Sequence, residues 1–269
     1  MRVPFVKMHG LGNDFVVLDG REMDLPAVCE DFARAIADRH TGIGCDQLIV
    51  LEPSEGHDFR MRIFNSDGGE VEACGNASRA VALLHGKPAR VETAGGIIAL
   101  EPTAGGASVD MGIPRFDWDA IPLDYPMDTN PMPLGWGPLK SPSAVNVGNP
   151  HVVFFVPDVW ASALDTLGPD IETDPVFPQG VNVNVAQLIG ANHLQLRVWE
   201  RGAGLTRACG TGACAAAVVA IRKGFVGETV RVSLPGGDLT IQWREGSSIR
   251  MTGPATEAFR GSFEWDDFA

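Results

Sequence analysis

Ala73-Cys74-Gly75-Asn76 and Ala208-Cys209-Gly210-Thr211 are the two stretches that decide how this chain folds. Each runs into an apolar, alanine-bearing segment that ends in glycine, Asn76 to Gly86 and Thr211 to Gly224. The two cysteines stand 135 residues apart, and nearly the same offset recurs along the chain. Gly12-Asn13 meets Gly148-Asn149 at 136, with strand-like runs behind both asparagines, Phe15 to Leu18 and Val152 to Val156. Gln47 meets Asn182, and Asn65 meets Glu200, both at 135. Val91-Glu92-Thr93-Ala94-Gly95-Gly96 resembles Val232-Ser233-Leu234-Pro235-Gly236-Gly237 at 141, each reading as a hairpin around Gly-Gly. Gly112-Ile113-Pro114 echoes Gly253-Pro254 in the same way. One short match would carry little weight. Several polar matches in one order at a nearly constant offset mean one αβ module used twice.

The length agrees: 269 residues at roughly 150 per domain make two modest domains likelier than one. Each copy reads as strands, a surface helix, more strands, a buried helix and a closing hairpin. The first surface helix is expected from about Asp24 to Arg39, capped by Asp24 with Pro26 in its first turn. Leu25, Val28, Cys29, Phe32 and Ile36 would form its apolar stripe. Its counterpart is expected after Asp158, through Trp160, Leu164 and Leu167, to Gly168. The helices after Cys74 and Cys209 are apolar around most of their circumference, so a sheet should enclose each. The fold class is therefore α+β: two pseudo-symmetric αβ lobes, each a mixed sheet wrapped around a central helix. Residues 1–113 plus 255–269 form the lobe carrying Cys74, and residues 114–254 the lobe carrying Cys209. The proline-rich stretch over about 114–142 reads as a linker. The segment after Pro254, with Phe259, Phe263 and Trp265, is expected to return to the first copy as an added strand.

Composition narrows the function. With 34 acidic and 21 basic residues the net charge is −13, which repels phosphate backbones and anionic membranes. No nucleic-acid or membrane partner is expected. The longest apolar stretch, Ala213 to Ile221, is too short to span a bilayer, and no basic-then-apolar signal opens the chain. Five cysteines, an odd number, argue for thiols in a reducing cytoplasm rather than a disulfide scaffold. Cys29, Cys45 and Cys214 read as small buried hydrophobes.

Cys74 and Cys209 differ, because each directly precedes a helix. Orphan N–H groups and the helix dipole there favour thiolate over thiol. Gly75-Asn76 and Gly210-Thr211 let backbone N–H groups approach an anion closely. Each copy thus offers a basic or nucleophilic sulfur and an anion cradle. If the modules pack with pseudo-two-fold symmetry, the two sulfurs flank a ligand. A thiolate then takes a proton from one face of a carbon while a thiol delivers one to the other, inverting a stereocentre. Asn13, Asn149, Gln47, Asn182, Asn65 and the Glu200-Arg201 pair supply the donors and acceptors that an ammonium and a carboxylate require, Arg201 in bidentate fashion. For Asn146 and Asn184, which have no counterpart, a turn role and a site role stand equally open. His151 and Glu200 can modulate the thiols. No histidine stands at metal-ligand spacing.

The chain resembles the diaminopimelate epimerases over essentially its whole length. The resemblance lies in residues 7–15 (Lys-Met-His-Gly-Leu-Gly-Asn-Asp-Phe) and 42–47 (Gly-Ile-Gly-Cys-Asp-Gln), in Asn65-Ser66-Asp67-Gly68 and in Gly148-Asn149-Pro150-His151. It extends to Ala73-Cys74-Gly75-Asn76, Glu200-Arg201-Gly202-Ala203-Gly204 and residues 208–213. It implies a cofactor-independent epimerase, without metal, that interconverts LL- and meso-2,6-diaminopimelate on the way to lysine and peptidoglycan. Cys74 and Cys209 would be the acid–base pair. Substrate contacts would fall on Asn13, Gln47, Asn65, Asn149, Asn182, Glu200 and Arg201 and the backbones of Gly75, Asn76, Gly210 and Thr211. His151 and Glu200 look like the family's pKa-modulating positions, and a homodimer is implied. Ala77, Ala80 and Cys45 depart from the family's usual residues without removing a functional group. Proline or hydroxyproline racemase-like enzymes share the cysteine pair and are the alternative, though their substrate would leave the many matched amides less well explained. A pyridoxal-phosphate racemase is disfavoured, since none of Lys7, Lys87, Lys140 and Lys223 lies in a phosphate-binding glycine loop.

Overall fold

Arg2–Gly10 alternates buried and exposed side chains, the period-two pattern of a strand with one face on a core. It opens the first unit of the computed structural model, which describes residues 1–72, 74–104 and 106–268. Ala73, which begins one Ala-Cys-Gly motif, lies outside the described residues. The order in this unit is β1 (Arg2–Gly10), β2 (Asn13–Asp19), α1 (Glu30–Ala37), β3 (Gln47–Glu52), β4 (Phe59–Asn65), β5 (Glu70–Val71), α2 (Gly75–His85), β6 (Ala89–Thr93), β7 (Gly96–Thr103) and β8 (Gly106–Asp110). The second unit contains β9 (Gly135–Trp136), β10 (Leu139–Lys140), β11 (Ser143–Asn146), β12 (Pro150–Phe155), α3 (Leu164–Glu172), β13 (Asn182–Gly190), β14 (His193–Glu200), β15 (Gly204–Thr206), α4 (Gly210–Arg222), β16 (Thr229–Leu234), β17 (Gly237–Gln242) and β18 (Arg250–Gly253). β19 (Thr256–Glu264) returns to the first unit and pairs antiparallel with β1, as the alternating tail led one to expect. By compactness the units are Met1–Val109 with the segment from Gly253 onward, and Asp110–Thr252.

The repeat is visible in the pairing. In the first unit β1–β2 is antiparallel, β2–β3 parallel, β3–β4 antiparallel, β4–β6 parallel and β6–β7 antiparallel. In the second, β11–β12, β12–β13, β13–β14, β14–β16 and β16–β17 repeat that series. Register repeats as well: Phe15 faces Gln47 across β2–β3, and His151 faces Asn182 across β12–β13. Two-residue loops close both expected hairpins, since Thr93 faces Gly96 and Leu234 faces Gly237. The α+β class and the mixed sheets are those the sequence implied.

The central helices are enclosed because their side chains are small. Ala213, Ala215, Ala216, Ala217 and Ala220 have no exposed surface, so β11 to β14, β16 and β17 all pack against α4. In the first unit α2 packs against β1, β7 and β19. The outer helices cover separate cores. Phe32 and Ile36 of α1 join Val16, Leu18, Leu48 and Val50, and Leu164 and Ile171 of α3 join Phe154, Val183 and Val185.

Four expectations need correction. α1 begins at Glu30 rather than near Asp24, and stops at Ala37. Leu25 and Val28 reach the core from irregular chain ahead of the helix, and Glu30 and Asp31 place negative charge in the first helical turn, which favours a start there. Cys29 is therefore the residue before the helix, in extended conformation, and it is exposed; Cys45 and Cys214 are buried as expected. In α3, Gly168 is interior rather than terminal: a Cβ there would lie 2.5 Å from the Trp199 ring, so glycine is needed for contact with β14. Trp160 stays outside that helix and is exposed. The stretch over 114–142 is not a bare linker. Ile121, Leu123, Met132 and Leu139 are buried in the second unit's core, and Trp136 Nε1 donates to Asp174 Oδ2 at 2.9 Å.

Candidate active site

The ladders gather the matched polar residues at one end of each sheet. In the first unit Asn13 opens β2, Gln47 opens β3 and Asn65, facing Gln47, closes β4. Gln47 Nε2 donates to Asn65 Oδ1 at 2.9 Å, while Gln47 Oε1 is buried without a partner among the described residues. Cys74, partly exposed, stands directly before α2 in extended conformation. Its sulfur donates to Asn13 Oδ1 at 3.9 Å, and Asn76 Nδ2 donates to the same oxygen at 3.1 Å. The other end of the Asn13 amide is held too, Nδ2 donating to Asp46 Oδ2 at 3.0 Å.

Charged groups behind these amides were not singled out from sequence. Arg79, fully buried on α2, donates through Nη2 to Asn76 Oδ1 at 2.8 Å. A single arginine three residues beyond Asn76 in an otherwise apolar helix was the available signal. Arg39 bridges Asp14 and Asp46, and Lys7 donates to Asp14 Oδ2 and to the Gly44 carbonyl. Burial pushes the Asp14 carboxyl up, but hydrogen bonds and charge from Arg39 and Lys7 outweigh it and hold the group at about 2.

In the second unit Asn149 precedes β12, Asn182 opens β13 and Glu200 closes β14. Asn182 Nδ2 donates to the Pro150 carbonyl at 2.8 Å, and its Oδ1 accepts the Arg201 N–H at 3.0 Å. Arg201 Nη1 donates to the Gln179 carbonyl at 2.8 Å, beside a cavity of about 450 Å³ lined by Glu172, Phe177 and Gly180 among others. The turn after β14 is pinned a second time, because Glu172 accepts the Gly202 N–H at 2.8 Å and Trp199 Nε1 at 2.6 Å. His151 is fully buried, and its ring bonds amides rather than sulfur: Nε2 meets Asn149 Oδ1 at 2.8 Å and Nδ1 meets Asn184 Nδ2 at 3.0 Å. Burial pushes its pKa down to about 3, so the ring is neutral.

Cys209 heads α4 with extended backbone, and its sulfur accepts the Gly212 N–H at 3.3 Å, with Thr211 Oγ1 at 3.5 Å. The sequence favoured a thiolate at this helix start. The structure reverses that for Cys209. Burial, first, and then the charge of neighbouring Glu200 push the thiol well above its ordinary range; the hydrogen bonds from Thr211 and Gly212 offset only part. Glu200, whose charge adds to burial in raising the Cys209 thiol, also accepts from Thr206 Oγ1. Among the described residues no cluster of histidine, cysteine and carboxylate groups is arranged to hold a metal.

Comparison with known proteins adds the following. A family model described as "Diaminopimelate epimerase" matches residues 5–116 and 143–257. A protein named diaminopimelate epimerase from Erythrobacter litoralis is 66% identical over 269 residues, all of both chains. One of the same name from Sphingopyxis alaskensis is 62% identical, covering 98% of each chain. Among solved structures, a Bacillus anthracis phenazine biosynthesis protein of the PhzF family superposes with TM-score 0.70 at 15% identity, over 98% of this chain and 99% of the other. A hydroxyproline epimerase from Agrobacterium vitis superposes with TM-score 0.67 at 16% identity, over 97% and 91%. At those identities the two structures speak for the fold alone.

Proposed function

Because this chain belongs to the diaminopimelate epimerase family, we infer that it is an isomerase that interconverts LL- and meso-2,6-diaminopimelate. The observation that carries the reading is likeness over the whole chain to proteins of that name, at 66% and 62% identity. The same likeness favours it over a proline-type racemase, which shares only the fold at this level of identity. The product serves lysine synthesis and, in bacteria, peptidoglycan synthesis.

Inversion needs one group to take the α-proton and another to return a proton to the opposite face. We propose that Cys74 and Cys209 are those groups. One sulfur, as thiolate, accepts the proton while the C–H electron pair stays on carbon; the other, as thiol, protonates the carbanion from the opposite side. Buried Cys209 is suited to the thiol role. N–H groups of Gly75, Asn76, Gly210 and Thr211, at the starts of α2 and α4, would hold the substrate carboxylate and favour the negative charge that develops. Asn13, Gln47, Asn65, Asn149, Asn182, Glu200 and Arg201 would contact the rest of the substrate. The reading uses no cofactor, and it includes a cytoplasmic homodimer. No helix among the described residues is long and apolar enough to cross a membrane.

The test is an isomer-resolved assay on LL-diaminopimelate in deuterated water without added cofactor. Expected is meso product carrying solvent deuterium at the inverted carbon. Recovery of unexchanged LL substrate would overturn the reading.

A further inference from the structure

Asn13 and Asn149 occupy equivalent positions in the repeat, yet the Asn13 amide is anchored at both ends and the Asn149 amide at one. The Asn13 NH2 group donates to the Asp46 carboxylate, and its carbonyl oxygen, which accepts from Asn76 Nδ2 at 3.1 Å, is the end turned to the Cys74 sulfur. Asn149 is held through its carbonyl oxygen, at 2.8 Å from His151 Nε2. That leaves its NH2 group with no protein partner among the described residues.

We propose that Asn184 and His151 are positioning residues, a relay that fixes the Asn149 amide with its NH2 end presented as a donor for a substrate carboxylate.

The relay is dictated by two backbone carbonyls. Asn184 Nδ2 lies 2.9 Å from the Val152 carbonyl and 3.3 Å from that of Asn182, both acceptors only, so this end of the amide must be the NH2 group. The same NH2 group lies 3.0 Å from His151 Nδ1, which must therefore be the unprotonated ring nitrogen. An imidazole carries at least one N–H, so the proton is on Nε2. Nε2–H then donates to Asn149, whose facing atom must be the carbonyl oxygen. Each choice forces the next, and the backbone of β12 and β13 ends up setting the polarity of a side chain three hydrogen bonds away.

Two further features belong to the same device. The Asn184 Oδ1 atom is buried without a partner among the described residues, an unfavourable arrangement that turning the amide around would not cure, since that would set the oxygen against the Val152 and Asn182 carbonyls and take the donor from the ring nitrogen. Room for that oxygen comes from Gly212: a Cβ there would stand 2.7 Å from Asn184 Oδ1. The inference rests on the proposed epimerase reading only for what Asn149 meets; the tautomer and the amide polarity do not depend on it.

The test uses the full chain labelled with 15N at histidine. Expected is a His151 ring with Nε2 protonated and Nδ1 not, unchanged from about pH 8 to about pH 5. A proton on Nδ1, or titration of the ring within that range, would overturn the relay. Kinetics give the second arm. Asn184→Ala and His151→Leu should raise KM about tenfold or more, with kcat changed less, the loss expected when a hydrogen bond to a charged group is mis-set. His151→Gln, whose amide can accept from Asn184 and donate to Asn149 at once, should recover most of that loss. A His151→Gln variant as impaired as His151→Leu, with both as folded as the parent by thermal melting, would count against positioning. A parent protein that shows the tautomer but does not epimerise diaminopimelate would sink the functional reading and leave the relay standing.

Discussion

The starts of α2 and α4 have the same backbone and different surroundings. Cys74 is partly exposed, with its sulfur on Asn13 and with Asn76, Arg79 and Asp46 wired behind that amide. Cys209 is buried, accepts the Gly212 N–H and feels the charge of Glu200. Duplication of a module supplies two sulfurs in equivalent places. The proposed two-base inversion would use them in unlike protonation states, and their surroundings do differ although the topology is the same.

The strongest attack on that comparison is to remove either sulfur. Cys74→Ala and Cys209→Ala should each lower kcat/KM for epimerisation by at least about 10³-fold in the coupled assay, the scale of a lost proton-transfer group. A double alanine variant that still inverts substrate would end the two-base account. Next in size is Gly212→Ala, whose Cβ would stand 2.7 Å from Asn184 Oδ1 and 3.2 Å from Cys209 Sγ. It should lower both activity and stability, the latter by about 1–3 kcal/mol in urea unfolding. The equivalent position in the first unit already holds alanine, the buried Ala77.

Glu200→Gln sharpens the contrast without removing a sulfur. Taking the negative charge from beside Cys209 should let its thiol ionise at lower pH, seen as a downward move in the pH midpoint of Cys209 alkylation. Burial, the larger cause, remains, so the thiol should still titrate above its ordinary range. An unmoved midpoint would remove Glu200 from the account. The smallest effect is expected at Asp14, whose carboxyl is held at about 2 in the folded chain against an ordinary 3.8. The lowered value stabilises the fold above the ordinary carboxylate range, and the contribution is lost as pH falls from about 4 through about 2. Asp14→Asn should therefore cost about 1–2 kcal/mol near neutral pH, discounted for the partial exposure of Arg39, and progressively less in acid.

Much of this was legible from residue order. The segments after Cys74 and Cys209, apolar around most of their circumference, had to be enclosed helices, and Gly-Gly between β-branched runs had to be hairpins; both are local consequences of composition and period. α1 was misplaced because Leu25 and Val28 satisfy the same core from irregular chain, so an apolar stripe did not require a helix there. The stretch over 114–142 hid its buried residues because prolines break any period that Ile121, Leu123, Met132 and Leu139 would otherwise show. Arg79 and Asp46 carried little signal, since neither announces which amide it will hold.

The sequence by itself determined that one module occurs twice, that each copy has a cysteine at the start of a buried helix, and that amides and a Glu-Arg pair lie at matched places. These follow from periodicity and spacing, which are properties of the chain alone. Only the tertiary structure decided that Cys209 is held as a thiol, that His151 is a neutral donor to Asn149, and that the Asn13 amide is anchored at both ends and the Asn149 amide at one. Ionisation and amide polarity depend on desolvation and on hydrogen-bond partners, and at each of these sites the decisive partner is brought in by folding: Glu200 beside Cys209, the carbonyl of Val152 beside Asn184, and Asp46 beside Asn13.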